Sequence, residues 1–130
     1  MYSVDKAGRK TFYNAKKGWC DLPLAVLVNG STASAAEIFA GAVQANERGV
    51  IIGEKTYGKG VTQTVRYLNF NDTSEGALKL TTGKNYTSVG KWINESINPD
   101  IEIKSERENK NIAEDAAFKA AAEYIKEEIK

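Results

Sequence analysis

Hydrophobic and polar positions follow several distinct rhythms along the chain, and each predicts a kind of element. Leu24-Ala25-Val26-Leu27-Val28 is an unbroken apolar run after Pro23, and Val50-Ile51-Ile52 is a second. Such runs predict strands buried on both faces, as in a sheet with helices packed on it. Between them, from Ala33 to Asn46, apolar residues at Ala35, Ile38, Phe39 and Ala42 recur at helical spacing. Strand, turn, helix and strand over residues 24–52 predict a βαβ unit. Residues 61–69 alternate, with Val61, Gln63, Val65 and Tyr67 on one face, and Leu78 and Leu80 begin a strand running to Thr82.

Weaker patterns complete the map. Residues 2–13 predict two short strands about a glycine-containing turn, and Ile101-Glu102-Ile103 predicts one more strand. Residues 53–60 read as a glycine-rich loop, 69–76 as a polar turn, and 83–100 mostly as loop. From Asn111 the tail predicts an amphipathic helix over about 111–129. Asn111 and Glu114 would cap it, and Phe118, Ala121, Ala122, Ile125 and Ile129 would be its buried stripe. Trp19 and Trp92 fall outside the regular patterns and are expected at loop edges. No repeat or linker interrupts the pattern, so one domain over 1–130 is expected.

Composition narrows the chemistry. An apolar fraction of 42% over 130 residues is enough to form a core. A net charge of +1 gives no basic excess for nucleic acid. With no histidine, Ser-His-Asp and Cys-His catalysis within the chain and imidazole metal sites are excluded. One cysteine, Cys20, forms no internal disulfide and no thiolate cluster. No apolar run approaches the roughly 18 residues of a membrane span, and no basic stretch followed by an apolar run, the pattern expected of a signal peptide, is visible at the start. No cofactor or metal is expected. Catalysis, if present, falls to Ser, Thr, Lys, Asp, Glu or Tyr.

Two segments can carry it. Asn29-Gly30-Ser31-Thr32-Ala33-Ser34-Ala35-Ala36-Glu37 places hydroxyls where a strand meets a helix amino terminus. Ligands and nucleophiles of such folds gather there. Unpaired N–H groups and the helix dipole favour negative charge, so an oxyanion beside Ser34 could accept the Ala35 N–H. The same letters also fit a structural capping box, Ser34-x-x-Glu37. Gly53 to Gln63 is the second segment. Gly53, Gly58 and Lys59 match part of a phosphate-binding loop, but Gly60 replaces its Ser/Thr and a strand pattern follows where a helix should. Without histidine, a serine must be activated by another base, and a desolvated lysine can serve. Gln63, four residues beyond Lys59, could orient the amine without adding charge.

The text from Val26 to Ile38 resembles the nucleophile motif of the carboxyl-terminal processing proteases, also called tail-specific proteases. Gly53 to Gln63 resembles their lysine motif. The family separates nucleophile and lysine by 25 residues, as Ser34 and Lys59 are separated here, and its glutamine falls on Gln63. Residues 78–82, 86–90 and 97–101 resemble later family blocks, so the likeness covers about 22–103. Thr32 and Ala36 stand beside the nucleophile where serines are usual, and Ser88 stands where proline is common.

The resemblance implies an α/β fold: part of a crotonase-like, ClpP-like core, a mixed sheet with packed helices. It implies serine endopeptidase activity on protein or peptide substrates near their carboxyl termini. Ser34 would be the nucleophile, Lys59 the base, Gln63 its positioner and the Ala35 N–H an oxyanion donor. Family members also carry an upstream PDZ module and a glycine-rich strand end that supplies a second oxyanion N–H. The chain reads as the part after both, expected to be weakly active or inactive alone and open to self-association, from a family that usually works outside the cytoplasm. The competing expectations are a non-catalytic binding or structural module, with Ser34 only a cap, and nucleotide binding through the degenerate phosphate loop.

Overall fold

The structure is a computed structural model that describes the chain apart from residues 15, 17, 19, 71, 72 and 105–110, with backbone only at 69–70 and 73–75. Its strands are β1 (Tyr2–Asp5), β2 (Lys10–Phe12), β3 (Ala25–Val28), β4 (Val50–Gly53), β5 (Val61–Phe70), β6 (Thr73–Tyr86) and β7 (Ile101–Glu102). Its helices are α1 (Ala35–Ala45) and α2 (Ala116–Glu128). Short 3-10 turns lie at Ile93–Glu95 and Ile112–Glu114.

The strands form two sheets. One is parallel, in the order β3-β4-β7, and the other antiparallel, in the order β2-β1-β6-β5. The fold is therefore mixed α/β. The βαβ unit is present as expected: β3 and β4 pair in parallel, Val26 opposite Ile51, with α1 as the crossover. β4 is covered on both faces. Ile51 packs with Val28, Ala40, Val43 and Ile97 on the α1 side. Ile52 packs with Ala117 and Ala121 of α2 on the other. Small alanines let both helices approach the sheet closely.

Several expectations are corrected. β3 is not buried on both faces, because Leu27 is 41% exposed. Nothing pairs with its outer edge among the described residues, and an edge strand loses the flanking side chains that cover a central one. Residues 83–86, expected as loop, extend β6, because Lys84, Asn85 and Tyr86 pair with Val4, Ser3 and Tyr2 of β1. Local composition cannot reveal that long-range partner. The 69–76 turn shrinks, with strand backbone to Phe70 and from Thr73; its tip lies outside the described residues.

The tail helix also starts later than expected. Asn111 caps only the 3-10 turn, accepting the Ala113 N–H at 3.2 Å. Asp115 caps α2, accepting the Phe118 N–H at 2.9 Å. The buried stripe runs through Ala117 and Ala121, while Phe118 and Ile129 are exposed. Of the expected stripe, Ala121 is buried and Ala122 and Ile125 are half-buried. Trp19 lies outside the described residues. Trp92 precedes the 3-10 turn at Ile93–Glu95, and its indole N–H reaches the Gly60 carbonyl at 3.4 Å.

Candidate functional site

The site forms where the β3–α1 turn meets the loop that leaves β4. In the turn, Asn29 organises its own neighbours: its carboxamide oxygen accepts the Ser31 N–H and its carbonyl the Thr32 N–H, both at 2.9 Å. The chain then enters α1 through Ser34, at φ 57° and ψ −118°. That backbone region favours glycine, and a side-chain-bearing residue held there costs on the order of 1–3 kcal/mol. A strained serine on a strand-to-helix turn has its hydroxyl pushed out from the backbone. The layout is that of a capping box, with the Glu37 carboxylate accepting the Ser34 N–H.

The loop is held from several directions. The Tyr57 N–H donates to the Thr32 carbonyl at 3.0 Å, tying loop to turn. Thr56 exchanges bonds with Ile97: its N–H donates to the Ile97 carbonyl at 3.1 Å, and its hydroxyl accepts the Ile97 N–H at 2.7 Å. Gly58 adopts φ +90°, and a Cβ there would lie 2.6 Å from the Ser96 hydroxyl. Gly60 approaches the Ile93–Glu95 turn so closely that a Cβ would lie 2.3 Å from the Asn94 nitrogen. The glycines of 53–60 thus let the loop pack, and β5 follows at Val61. A strand there denies the loop the helix that a phosphate-binding loop requires.

One carboxylate joins the two segments. Glu37, with no exposed surface, accepts the Ser34 N–H at 2.9 Å and the Lys59 N–H at 2.8 Å on the same oxygen, Oε2. Its Oε1 accepts the Gly58 N–H at 2.6 Å and the Thr56 hydroxyl at 2.5 Å. Burial pushes the carboxyl pKa up, but the bonds from Thr56, Lys59, Gly58 and Ser34 outweigh it, and the group sits below the ordinary glutamate range. The shared oxygen keeps the Ser34 and Lys59 nitrogens within two hydrogen-bond lengths of each other. That span is within reach of a lysine's four-carbon stem.

Ser34, Ala35 and Gln63 line one cavity of about 430 Å³, together with Tyr13, Val61 and Asn85. The Ala35 N–H, at the first position of α1, has no hydrogen-bond partner among the described residues. Lys59 is half-buried and does not line that cavity. It is brought to the site through its backbone, and its amine forms no ion pair among the described residues. Three of the four expected residues therefore share a cavity, and the fourth is bonded to the carboxylate beneath it.

Sequence reasoning reads Glu37 as a cap and misses its role as the junction. The available signal is its setting: an acid among Ala35, Ala36, Ile38 and Ala40 with no Lys or Arg within one helical turn. A buried acid without a nearby cation must find several N–H donors. Which donors it finds is a matter of tertiary structure. Among the described residues, no group of three or more His, Cys, Asp or Glu is placed to hold a metal, and no helix is long and apolar enough to cross a membrane.

The sequence pattern of Peptidase family S41 matches residues 1–103. A chloroplastic C-terminal processing peptidase of Tetradesmus obliquus is 40% identical over 107 residues, 79% of this chain and 22% of its own. The carboxy-terminal-processing protease of Bartonella bacilliformis is 48% identical over 82 residues, 62% of this chain and 18% of its own. The chain thus spans about a fifth of the length of these curated relatives. Among solved structures, the photosystem II D1 C-terminal processing protease superposes with a TM-score of 0.55 at 42% identity, over 63% of this chain and 20% of that one. A lipoprotein from Streptococcus agalactiae shares the fold over 98% of this chain and 44% of its own, with a TM-score of 0.71 at 20% identity. The two sheets and packed helices are those of the ClpP-like and crotonase-like serine proteases of this group. The chain belongs to peptidase family S41, the serine proteases of carboxyl-terminal processing.

Proposed function

We infer that this segment supplies the nucleophile and the base of a serine endopeptidase that cuts proteins near their carboxyl termini, working within a longer protease. The carrying observation is the Glu37 Oε2 atom, bonded at once to the Ser34 and Lys59 N–H groups. One buried carboxylate joining the backbones of the candidate nucleophile and candidate base supports reading them as a pair.

The steps follow from the groups present. The Ser34 hydroxyl attacks a peptide carbonyl while Lys59, as its uncharged amine, takes the hydroxyl proton. The Ala35 N–H and the amino end of α1 stabilise the oxyanion. Collapse of the tetrahedral intermediate passes the proton from Lys59 to the departing amine, leaving Ser34 acylated. Water then attacks the ester with Lys59 again as base, releasing the new carboxyl end and restoring the serine. Gln63, on the wall of the same cavity, holds the amine's direction without adding charge.

Among the described residues one oxyanion donor, the Ala35 N–H, stands beside Ser34, and lacking a second costs about 10²–10³ in rate. It is accordingly a weak or inactive catalyst by itself, although residues 1–130 act as one unit of the protease domain. Its substrates are extended protein tails. Site of action follows the family: outside the cytoplasm or within an organelle. The open edges of β3 and β5 also leave the isolated chain able to pair with a second copy.

The test compares Ser34→Ala with Ser31→Ala and Thr32→Ala in the full-length protease, on an unstructured peptide with a free carboxyl terminus. Loss of cleavage in Ser34→Ala alone is expected. Cleavage that survives Ser34→Ala, or disappears in either of the other two, would remove the assignment.

A further inference from the structure

We propose that Glu37 is the positioning residue that couples the nucleophile to its base, through one carboxylate that fixes both backbones to each other. This rests on reading Ser34 and Lys59 as that pair and adds the device that joins them.

The donor set carries the inference. Capping α1 requires Glu37 to take only the Ser34 N–H, which it does at 2.9 Å. Three further donors come from the loop that bears the lysine: the Thr56 hydroxyl and the Gly58 and Lys59 N–H groups. A helix cap has no use for those three. Each carboxylate oxygen takes two donors, so the acceptor capacity is divided between the elements. Oε2 itself is split, with one bond to the nucleophile and one to the lysine. An amide could not replace it, because its one oxygen would accept only two of the four donors and its NH₂ would face the other two.

The set is also free of cations. Glu37 has no Lys or Arg side chain among its bonded partners, and its charge is met by N–H and O–H dipoles alone. The clamp anchors the loop through backbone and hydroxyl dipoles, without an ion pair. Thr56 extends the hold, since its hydroxyl donates to Glu37 while accepting the Ile97 N–H at 2.7 Å. The strained φ of Ser34 and the positive φ of Gly58 lie on either side of this one anion.

Two measurements test the coupling. In the chain itself, amide proton NMR of Glu37→Gln is expected to show the Ser34, Gly58 and Lys59 amides moving upfield together and losing exchange protection, while Ile51 and Ile52 keep theirs. Glu37→Asp, shorter by one methylene, gives the same comparison if the glutamine variant does not fold. A change at Ser34 with Gly58 and Lys59 untouched would make Glu37 a cap only and overturn the proposal. In the full-length protease, Glu37→Gln is expected to lower kcat about 10²-fold while KM stays within about threefold, the signature of misplaced reacting groups with intact substrate binding. Unchanged kcat in Glu37→Gln, with cleavage abolished in Lys59→Ala, would remove the coupling and leave the serine–lysine pair. Cleavage retained in Lys59→Ala would remove the pair, and the NMR comparison would still decide whether Glu37 joins the two segments.

Discussion

Glu37 holds a negative charge where water does not reach, and the acid limb of stability should report it. Its carboxyl ionises more readily in the folded chain than in the unfolded one, because four hydrogen bonds favour the anion. For a carboxyl with a depressed folded pKa, the contribution to stability is complete above the unfolded value, about 4.3. It is lost as pH falls through the folded value. Denaturant midpoints are therefore expected to drop as pH falls from about 5 toward 3, with a shallower drop in Glu37→Gln. An identical slope in the two proteins would contradict the bonding described here. At neutral pH the same substitution leaves buried N–H groups without an acceptor and should cost about 1–3 kcal/mol.

Among the elements, the lysine loop depends on space as much as on bonds. Gly60 lies against the Ile93–Glu95 turn, its N–H bonded to the Asn94 side chain at 3.1 Å, and the Cβ of an alanine would meet backbone rather than a movable side chain. Gly60→Ala is expected to destabilise the chain by about 1–3 kcal/mol, read as a lowered thermal midpoint. An unchanged midpoint would mean that the contact is not as close as described. A second tie closes the βαβ unit. Asp100 accepts the Ile51 N–H at 2.8 Å and the Gln44 amide at 2.7 Å, joining β4, α1 and the approach to β7. Asp100→Ala should cost about 1–3 kcal/mol in equilibrium unfolding, and a loss within experimental error would contradict that role.

Legibility in the sequence follows the range of the interactions. Val50-Ile51-Ile52 announces a doubly covered strand, because burial on both faces leaves no polar position to mark a solvent side. Ala35, Ile38 and Ala42 announce α1 by spacing alone. Lys84 to Tyr86 look like loop because their strand identity comes from pairing with residues some 80 positions earlier. In the tail, Phe118 and Ile129 draw attention by size, yet Ala117 and Ala121 are the residues packed against Ile52. Candidate chemistry divides the same way. Ser34 and Lys59 stand out as candidates by motif and spacing, but the sequence does not reveal that one Glu37 oxygen accepts both of their N–H groups.

For the molecule as a whole, the chain is about a fifth of the length of its curated relatives and leaves two kinds of surface open. The outer edges of β3 and β5 have no partner strand among the described residues. Val65, Leu78 and Leu80 on the β5–β6 ribbon are exposed, and Tyr67 is 75% exposed. Unpaired edges beside apolar surface promote pairing between copies. Sedimentation of the isolated chain is expected to show mass rising with concentration, and a monomer at all concentrations would contradict it.

The proposed mechanism needs an amine in place of the imidazole this chain does not contain. Peptide cleavage by full-length protease carrying Lys59→Ala addresses it most directly, with circular dichroism to verify the fold. A loss of about 10³-fold or more in kcat/KM, comparable to that of Ser34→Ala, is expected for a base and nucleophile acting as a unit. Cleavage by a folded Lys59→Ala protein within about tenfold of the unsubstituted rate would contradict it.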